Sequence, residues 1–346
     1  MAFTQTSDTQ VRDNVFTLAL SAFIKERMFD QVTKASALLR WMAGGDVIDI
    51  SENQLMADLP PETLDEKTAL VPLTGSRIEI LLEMGRNDTV KWVSPWEAVD
   101  VENQELYTRA YFDWKNMMGG VALSEIEEGM TDDDAVIEKM AAAQIKSLKK
   151  AMVYQLQSAV FLDGSANAGK AASGLQSFVA SDPTTGTVGG INRANNAAWR
   201  NIQVACGGGL SVAKMRTTYH NASNGNSVET PQFIITTQNA FEAYEVFLST
   251  PERIVQNKRL ANLDFEHYLF KNKCVVTWDG NCPAQLMYFL AKQGFKWAFN
   301  PKLNFKMRTF AYKTGSMVKE APVVFQCEFV PVEPRRLAVL TGITNG

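Results

Sequence analysis

From Asp132 to Asp163 the chain carries neither glycine nor proline. Ile137, Ala141, Ile145, Leu148, Met152, Leu156 and Val160 recur there at spacings of three and four. That period predicts one amphipathic helix of roughly 45 Å, at 1.5 Å per residue. Asp132, Asp133 and Asp134 favour its start and Gly164 its end. Lys139, Lys146, Lys149 and Lys150 fall off the stripe, so one face is left to lie across a sheet or along a neighbour. A helical region is also predicted over residues 8–43. Phe16, Ala19, Leu20 and Phe23 begin a face that Val32, Ala35, Leu38, Leu39 and Met42 continue, and Gly44 and Gly45 stop it. The turn-rich stretch that follows, with Pro60 and Pro61, predicts no strong element.

Elsewhere the period is two. Ile78, Ile80, Leu82 and Met84 share one face, and Arg77, Glu79 and Glu83 the other, with Leu81 out of pattern. Gly85 to Asp88 read as a turn and Thr89 to Ser94 as a second strand, which predicts a β-hairpin. Its polar face suggests an arm that projects and needs a partner surface, since an isolated hairpin is marginal in water. Residues 105–117 alternate again as a half-buried strand that Gly119 and Gly120 end or bulge.

The second half mixes both periods. A glycine-, alanine- and serine-rich loop leads to Trp199. Helices are predicted over about Leu210–Tyr219 and over Gln238–Leu248, and Phe233–Thr236 reads as a short buried strand. The stretch TPERIVQNKRL reads as a polar helix or loop. Strands then dominate: HYLFKNKCVVTWD, AQLMYFLA, FKWAF, APVVFQCEFVPVE and RRLAVLTGI, the last two as a pair. Asp279-Gly280 is a hairpin signal. The expectation is an α+β unit whose strands pair mostly in sequence order.

Composition narrows the class. At 346 residues the chain exceeds one growing core, so two or more modules are expected. Charged residues are 21% and hydrophobic ones 46%, which excludes wholesale disorder. No apolar run is long enough for a transmembrane helix. The opening MAFTQTSDTQ lacks the basic-then-apolar order of a signal peptide, so a cytosolic chain is expected. The net charge of −4 and the mixed charges do not predict a nucleic-acid gripper. Glu125 to Asp134, EIEEGMTDDD, holds six carboxylates and no base. It reads as a solvated helix start or, alternatively, a metal site, though it lacks the calcium-loop pattern.

Catalytic chemistry finds little support. GTVGGINR, from Gly186, packs three glycines into five positions but is not GxGxxG. It has no preceding strand and no acidic residue at ribose distance. Gly164 to Lys170, GSANAGK, comes nearest to a phosphate loop. Ala171 stands where Ser or Thr would hold magnesium, and a long helix precedes it in place of a strand. No GxSxG elbow occurs. His220 and His267 lie in no catalytic motif. Cys206, Cys274, Cys282 and Cys327 form no CxxC pair and read as buried, reduced thiols. No enzyme, cofactor or metal is predicted.

The order of elements, with Gly174-Leu175 after the long helix and then Gly189, Gly190, Ile191, Arg193 and Trp199, resembles the Hong Kong 97-like fold of tailed-bacteriophage major capsid proteins. The resemblance implies an α+β capsid fold with five parts. Residues 1–45 would be the N-terminal arm and 46–104 the extended β-hairpin loop, its tip near Gly85. Residues 105–178 would be the peripheral domain with spine helix 132–163, and 179–315 the axial domain. Residues 316–346 would return as strands to the peripheral domain. It implies self-assembly into hexamers and pentamers of an icosahedral head in the host cytoplasm, enclosing double-stranded DNA without sequence specificity and without a membrane. Scaffolding, portal and decoration proteins would be its other partners. Arg77, Glu79, Glu83, Lys91 and Trp92 become the candidate assembly residues, Lys91 by position also for the crosslink that some family members make. An encapsulin-like shell is the alternative, and a monomeric soluble hydrolase or binding protein a third.

Overall fold

The structure, a computed structural model, describes residues 37–42, 70–72, 75–96, 104–125, 134–223, 230–248, 268–271 and 273–344. Most of the helix expected over 8–43, the acidic run 126–133, His267 and the TPERIVQNKRL stretch lie outside the described residues. In chain order the first elements are helix α1 (Ala37–Met42), strands β1 (Leu70–Pro72), β2 (Ile78–Glu83), β3 (Tyr107–Phe112) and β4 (Lys115–Ser124), and the long helix α2 (Asp134–Phe161). A one-turn α3 (Leu175–Phe178) precedes the two-residue strands β5 (Thr187–Val188) and β6 (Ile191–Asn192), and then β7 (Ile202–Gly208). Next come α4 (Val212–Ala222), β8 (Phe233–Thr236), α5 (Gln238–Leu248), β9 (Tyr268–Phe270), β10 (Cys274–Trp278), β11 (Leu286–Leu290) and β12 (Phe295–Phe299). The chain closes with β13 (Lys306–Met307), β14 (Ala311–Tyr312), β15 (Val318–Pro331) and β16 (Ala338–Ile343).

The period-3.6 reading of the long helix holds. Ile145, Met152, Leu156 and Val160 are buried along one side, with Leu148 half-buried beside them. They lie against a six-stranded sheet built around β15. Its first ten residues pair antiparallel with β4, from Val318↔Ser124 to Cys327↔Lys115, and its last five pair with β12. β13 and β14 also pair with β15, and β1 adds in parallel to β12. β1 is a strand inside a stretch expected to hold no strong element. Contrary to the expectation that Gly119 and Gly120 end or bulge their strand, both sit inside β4 in continuous register with β15. A Cβ on Gly119 would lie 2.4 Å from Leu148 Cδ1, so the missing side chain lets the helix close on the sheet. The strand expected over 105–117 instead breaks at Asp113–Trp114, between β3 and β4.

A second six-stranded sheet has the order β7-β16-β11-β8-β10-β9. One face packs under α4 and α5 through Met215, Tyr219, Phe241 and Tyr244. The other face joins the main core, where Trp41 of α1 stacks on Phe233 at 4.9 Å between ring centres. Both faces are therefore covered, which is why Phe233–Thr236 shows a continuous apolar run and no alternation. Here nearest-neighbour pairing fails. Asp279-Gly280 does not join a hairpin, because β8 lies between β10 and β11, parallel to the first and antiparallel to the second. HYLFKNKCVVTWD is two paired strands, turned at Lys271 with φ 51°. The last two strands are no pair: β15 belongs to the first sheet, and β16 inserts between β7 and β11 of the second. The range 179–315 likewise spans both sheets, since β12, β13 and β14 belong to the first.

Candidate functional site

β2 and β3 form a separate two-stranded ribbon, in register from Ile78↔Phe112 to Glu83↔Tyr107. This corrects the expected hairpin: the partner of 78–83 is 107–112, and residues 89–94 form no strand. The alternation of 77–84 nevertheless sorts the side chains as read. Ile78 and Leu82 are buried with Ala110 beneath them, while Glu79, Leu81 and Glu83 face out. Ile78 packs with Ala298 and Val330, which seats the ribbon root on the first sheet. Trp114 Nε1 donates to Gly75 O at 3.0 Å across the same root.

The candidate residues divide between ribbon and tip. Arg77 Nε donates to Asp113 Oδ1 at 2.8 Å, and Arg109 Nη1 lies 3.5 Å from Glu79 Oε2; all four side chains are more than half exposed. Glu83 stands opposite Tyr107 in the ladder. Lys91 and Trp92 lie apart from these, in the irregular tip beyond Gly85. The tip begins with an Asx turn in which Asn87 Oδ1 accepts from Thr89 N at 2.9 Å, and Gln104 Oε1 accepts from Asp88 N at 3.1 Å. Large apolar side chains then stand in solvent: Val90, Trp92 and Trp96, the last 98% exposed. On the ribbon Leu81, Tyr107 and Tyr111 are exposed as well. Leu81, Asp113, Arg109, Tyr107, Tyr111 and Trp96 were not singled out from sequence as assembly residues. Leu81 out of pattern and the tyrosines on the polar face of 105–117 were the available signals.

The glycine-rich segment reads as a structural knot. Gly189 and Gly190 have φ of 60° and 81°, the left-handed pair that a two-residue hairpin turn between β5 and β6 requires. Trp199 is buried, and its Nε1 donates back to Val188 O at 3.1 Å, so it closes this loop. Arg193 is buried too. Its Nη2 donates to Ser177 O of α3, while Arg200 Nε donates to Arg193 O at 2.6 Å. Gly164–Lys170 has the spacing of a phosphate loop without its context. Asn167 and Ala168 are left-handed, no long helix follows, and Lys115 Nζ donates to Gly169 O at 2.6 Å, tying the loop to β4.

Cys274, Cys282 and Cys327 are buried free thiols, as read, and Cys206 is half-buried. His220 is exposed, with Lys271 Nζ 2.5 Å from its Nε2. Among the described residues no three metal-ligating side chains converge, and no helix is long and apolar enough to cross a membrane.

Two sheets, a long helix across one of them and a projecting ribbon define a mixed α+β architecture. Similar architectures exist among solved shells. The capsid of cyanophage A-1(L) aligns with a TM-score of 0.60 at 15% identity, over 80% of this chain and 91% of that one. The capsid of a native GTA particle aligns at 0.54 and 11%, over 86% and 100%. The holo-SrpI encapsulin complex of Synechococcus elongatus aligns at 0.52 and 11%, over 79% and 84%. No protein-family model and no curated protein matches the chain by sequence. The chain has the Hong Kong 97-like capsid fold.

Proposed function

We propose that this protein is the major capsid protein of a tailed-phage-type head, a non-enzymatic subunit that assembles with copies of itself into a closed icosahedral shell around double-stranded DNA. The observation that carries this reading is the ribbon and its tip. Trp92, Trp96, Val90 and Leu81 are large apolar side chains exposed on the ribbon and its tip. Such a surface marks an interaction site. On a fold shared with shell subunits its natural cover is the next subunit. A contact between different patches of identical chains closes into a ring about a rotation axis, and rings tile a shell. Each contact need not be strong, because many form at once.

In this reading residues 1–45 are the arm and 46–104 the extended loop region, which borrows β3 as its second strand. The sheet around β15, with α2, is the peripheral domain. The sheet of β7–β11 with α4 and α5 is the axial domain, and β16 belongs to it. Hexamers and pentamers are the expected capsomers, with scaffolding, portal and decoration proteins as further partners.

Sedimentation of the purified protein tests the shell. Megadalton particles are the expected outcome, and a purely monomeric species at all concentrations defeats the proposal. An encapsulin-like compartment is the second reading, favoured by the similarity to the encapsulin complex. Nuclease-protected DNA in the particles supports the head, and a co-purifying enclosed enzyme supports the compartment.

A further inference from the structure

The β5–β6 hairpin meets the ribbon at Gly189. Tyr111 N of β3 donates to Gly189 O at 3.0 Å. A Cβ on Gly189 would lie 2.7 Å from Phe112 Cζ and 3.0 Å from Ala110 Cβ, both on β3. Gly190, the other half of the same turn, meets nothing within 4 Å. Backbone conformation alone would ask the same of both glycines; only Gly189 is also required by what lies against it.

Behind the contact the hairpin is tied in three directions. Trp199 fastens it through Val188 O. Arg193 N donates to Gly186 O at 3.0 Å, and the Arg193 guanidinium reaches Ser177 O in the turn after the long helix. Arg193 Nη1 also donates to Asn201 Oδ1 at 3.5 Å, at the entry to β7, and Asn201 in turn is held by Ala180. One small loop thus contacts the ribbon, the exit of the long helix and the first strand of the second sheet.

We infer that the Gly189–Gly190 hairpin is the seat that fixes the angle of the projecting ribbon, with Gly189 and Trp199 as its positioning residues, and that it couples that angle to the second sheet. The consequence for assembly rests on the shell reading; the seating itself does not. A ribbon hinged only at its root would sweep a wide arc at its tip, whereas a ribbon pinned at Tyr111 presents the tip in one direction. The angle presented to a neighbour then follows the position of the second sheet.

Hydrogen exchange on the dissociated full-length subunit tests the seat. Gly189→Ala should speed exchange of the Tyr111 amide at least tenfold relative to Gly190→Ala, which carries the same left-handed strain without the contact. Adding Phe112→Leu to Gly189→Ala should restore much of the protection. Trp199→Phe, which keeps the ring and removes the indole N–H, should speed the same amide several-fold and covers the case in which Gly189→Ala fails to fold. Equal exchange in the two glycine variants, or no change with Trp199→Phe, overturns the seat. Electron microscopy of the same proteins reads the consequence: closed particles from Gly190→Ala and open or aberrant ones from Gly189→Ala. Closed particles from both overturn its role in assembly. If the unaltered protein forms no particles, the shell reading fails while the exchange contrast still judges the seat.

Discussion

Glu328 is a carboxylate set into the first sheet with one oxygen engaged. Its Oε1 accepts from Ser173 N at 2.8 Å, and its Oε2 is buried with no hydrogen-bond partner among the described residues. Burial pushes its pKa up to about 7, against the pull of the Ser173 N–H and of Lys115. The folded form therefore holds a proton that the unfolded chain releases near 4.5. Stability should fall as pH rises from about 4.5 to about 7, and the loss should be complete above that. The full effect is on the order of 3 kcal/mol by the value of one pKa unit. Urea midpoints of the subunit at pH 5 and pH 8 measure it, and Glu328→Gln should flatten the difference. Nothing in QCEFVP marks this glutamate as buried by intent. Cys327 to Pro331 are all buried, so both sheet faces are covered there, and the cover over Glu328 includes the loop after a helix more than 150 residues earlier.

At the scale of elements, period and length suffice for some segments and fail for others, such as 89–94, which form no strand, and 105–117, which divides between β3 and β4. The long helix, Phe233–Thr236, Gln238–Leu248 and Phe295–Phe299 are period and length alone, and all four stand where expected, the long helix as Asp134–Phe161. Pairing could not be read, because it is a choice among distant partners. Strand 78–83 had a plausible companion ten residues on and took one further away, at 107–112. Asp279-Gly280 offered a good turn, and β8 filled the gap instead. The glycines are explained by contacts that sequence spacing does not show. A Cβ on Gly174 would lie 2.2 Å from Ala159 O and 2.3 Å from Val160 O, at the end of α2. Backbone atoms of a helix end cannot step aside singly, so Gly174→Ala should cost roughly 3 kcal/mol, at the upper end of overpacking losses. Gly169→Ala, at φ 77° in open space, should cost only about 1–2 kcal/mol of left-handed strain. Denaturant midpoints of the two variants side by side check the contrast.

For the whole molecule, the separation of folding from association is the testable point. Trp92 and Trp96 are almost wholly exposed, so replacing both with Ser should leave the subunit's melting temperature within about 1–2 °C, as for surface changes away from packed features. The same pair should abolish or greatly weaken particle formation, read by sedimentation. An unchanged particle yield would mean that the tip is not the contact. In the sequence the signal for this surface is Leu81, which falls out of pattern; Trp92 sits in a stretch that reads as a strand, and nothing marks Trp96. The position of β16 has a different kind of consequence. It stands second in its sheet, pairing β7 on one side and β11 on the other, yet the ribosome makes it after all five of its companions. Until it arrives, β7 and β11 present open edges, the kind of surface that aggregates or recruits the wrong strand. A nascent or truncated chain lacking residues 338–343 thus cannot complete the second sheet. Completion of the second sheet therefore waits on residues 338–343, the last of its six strands to be made.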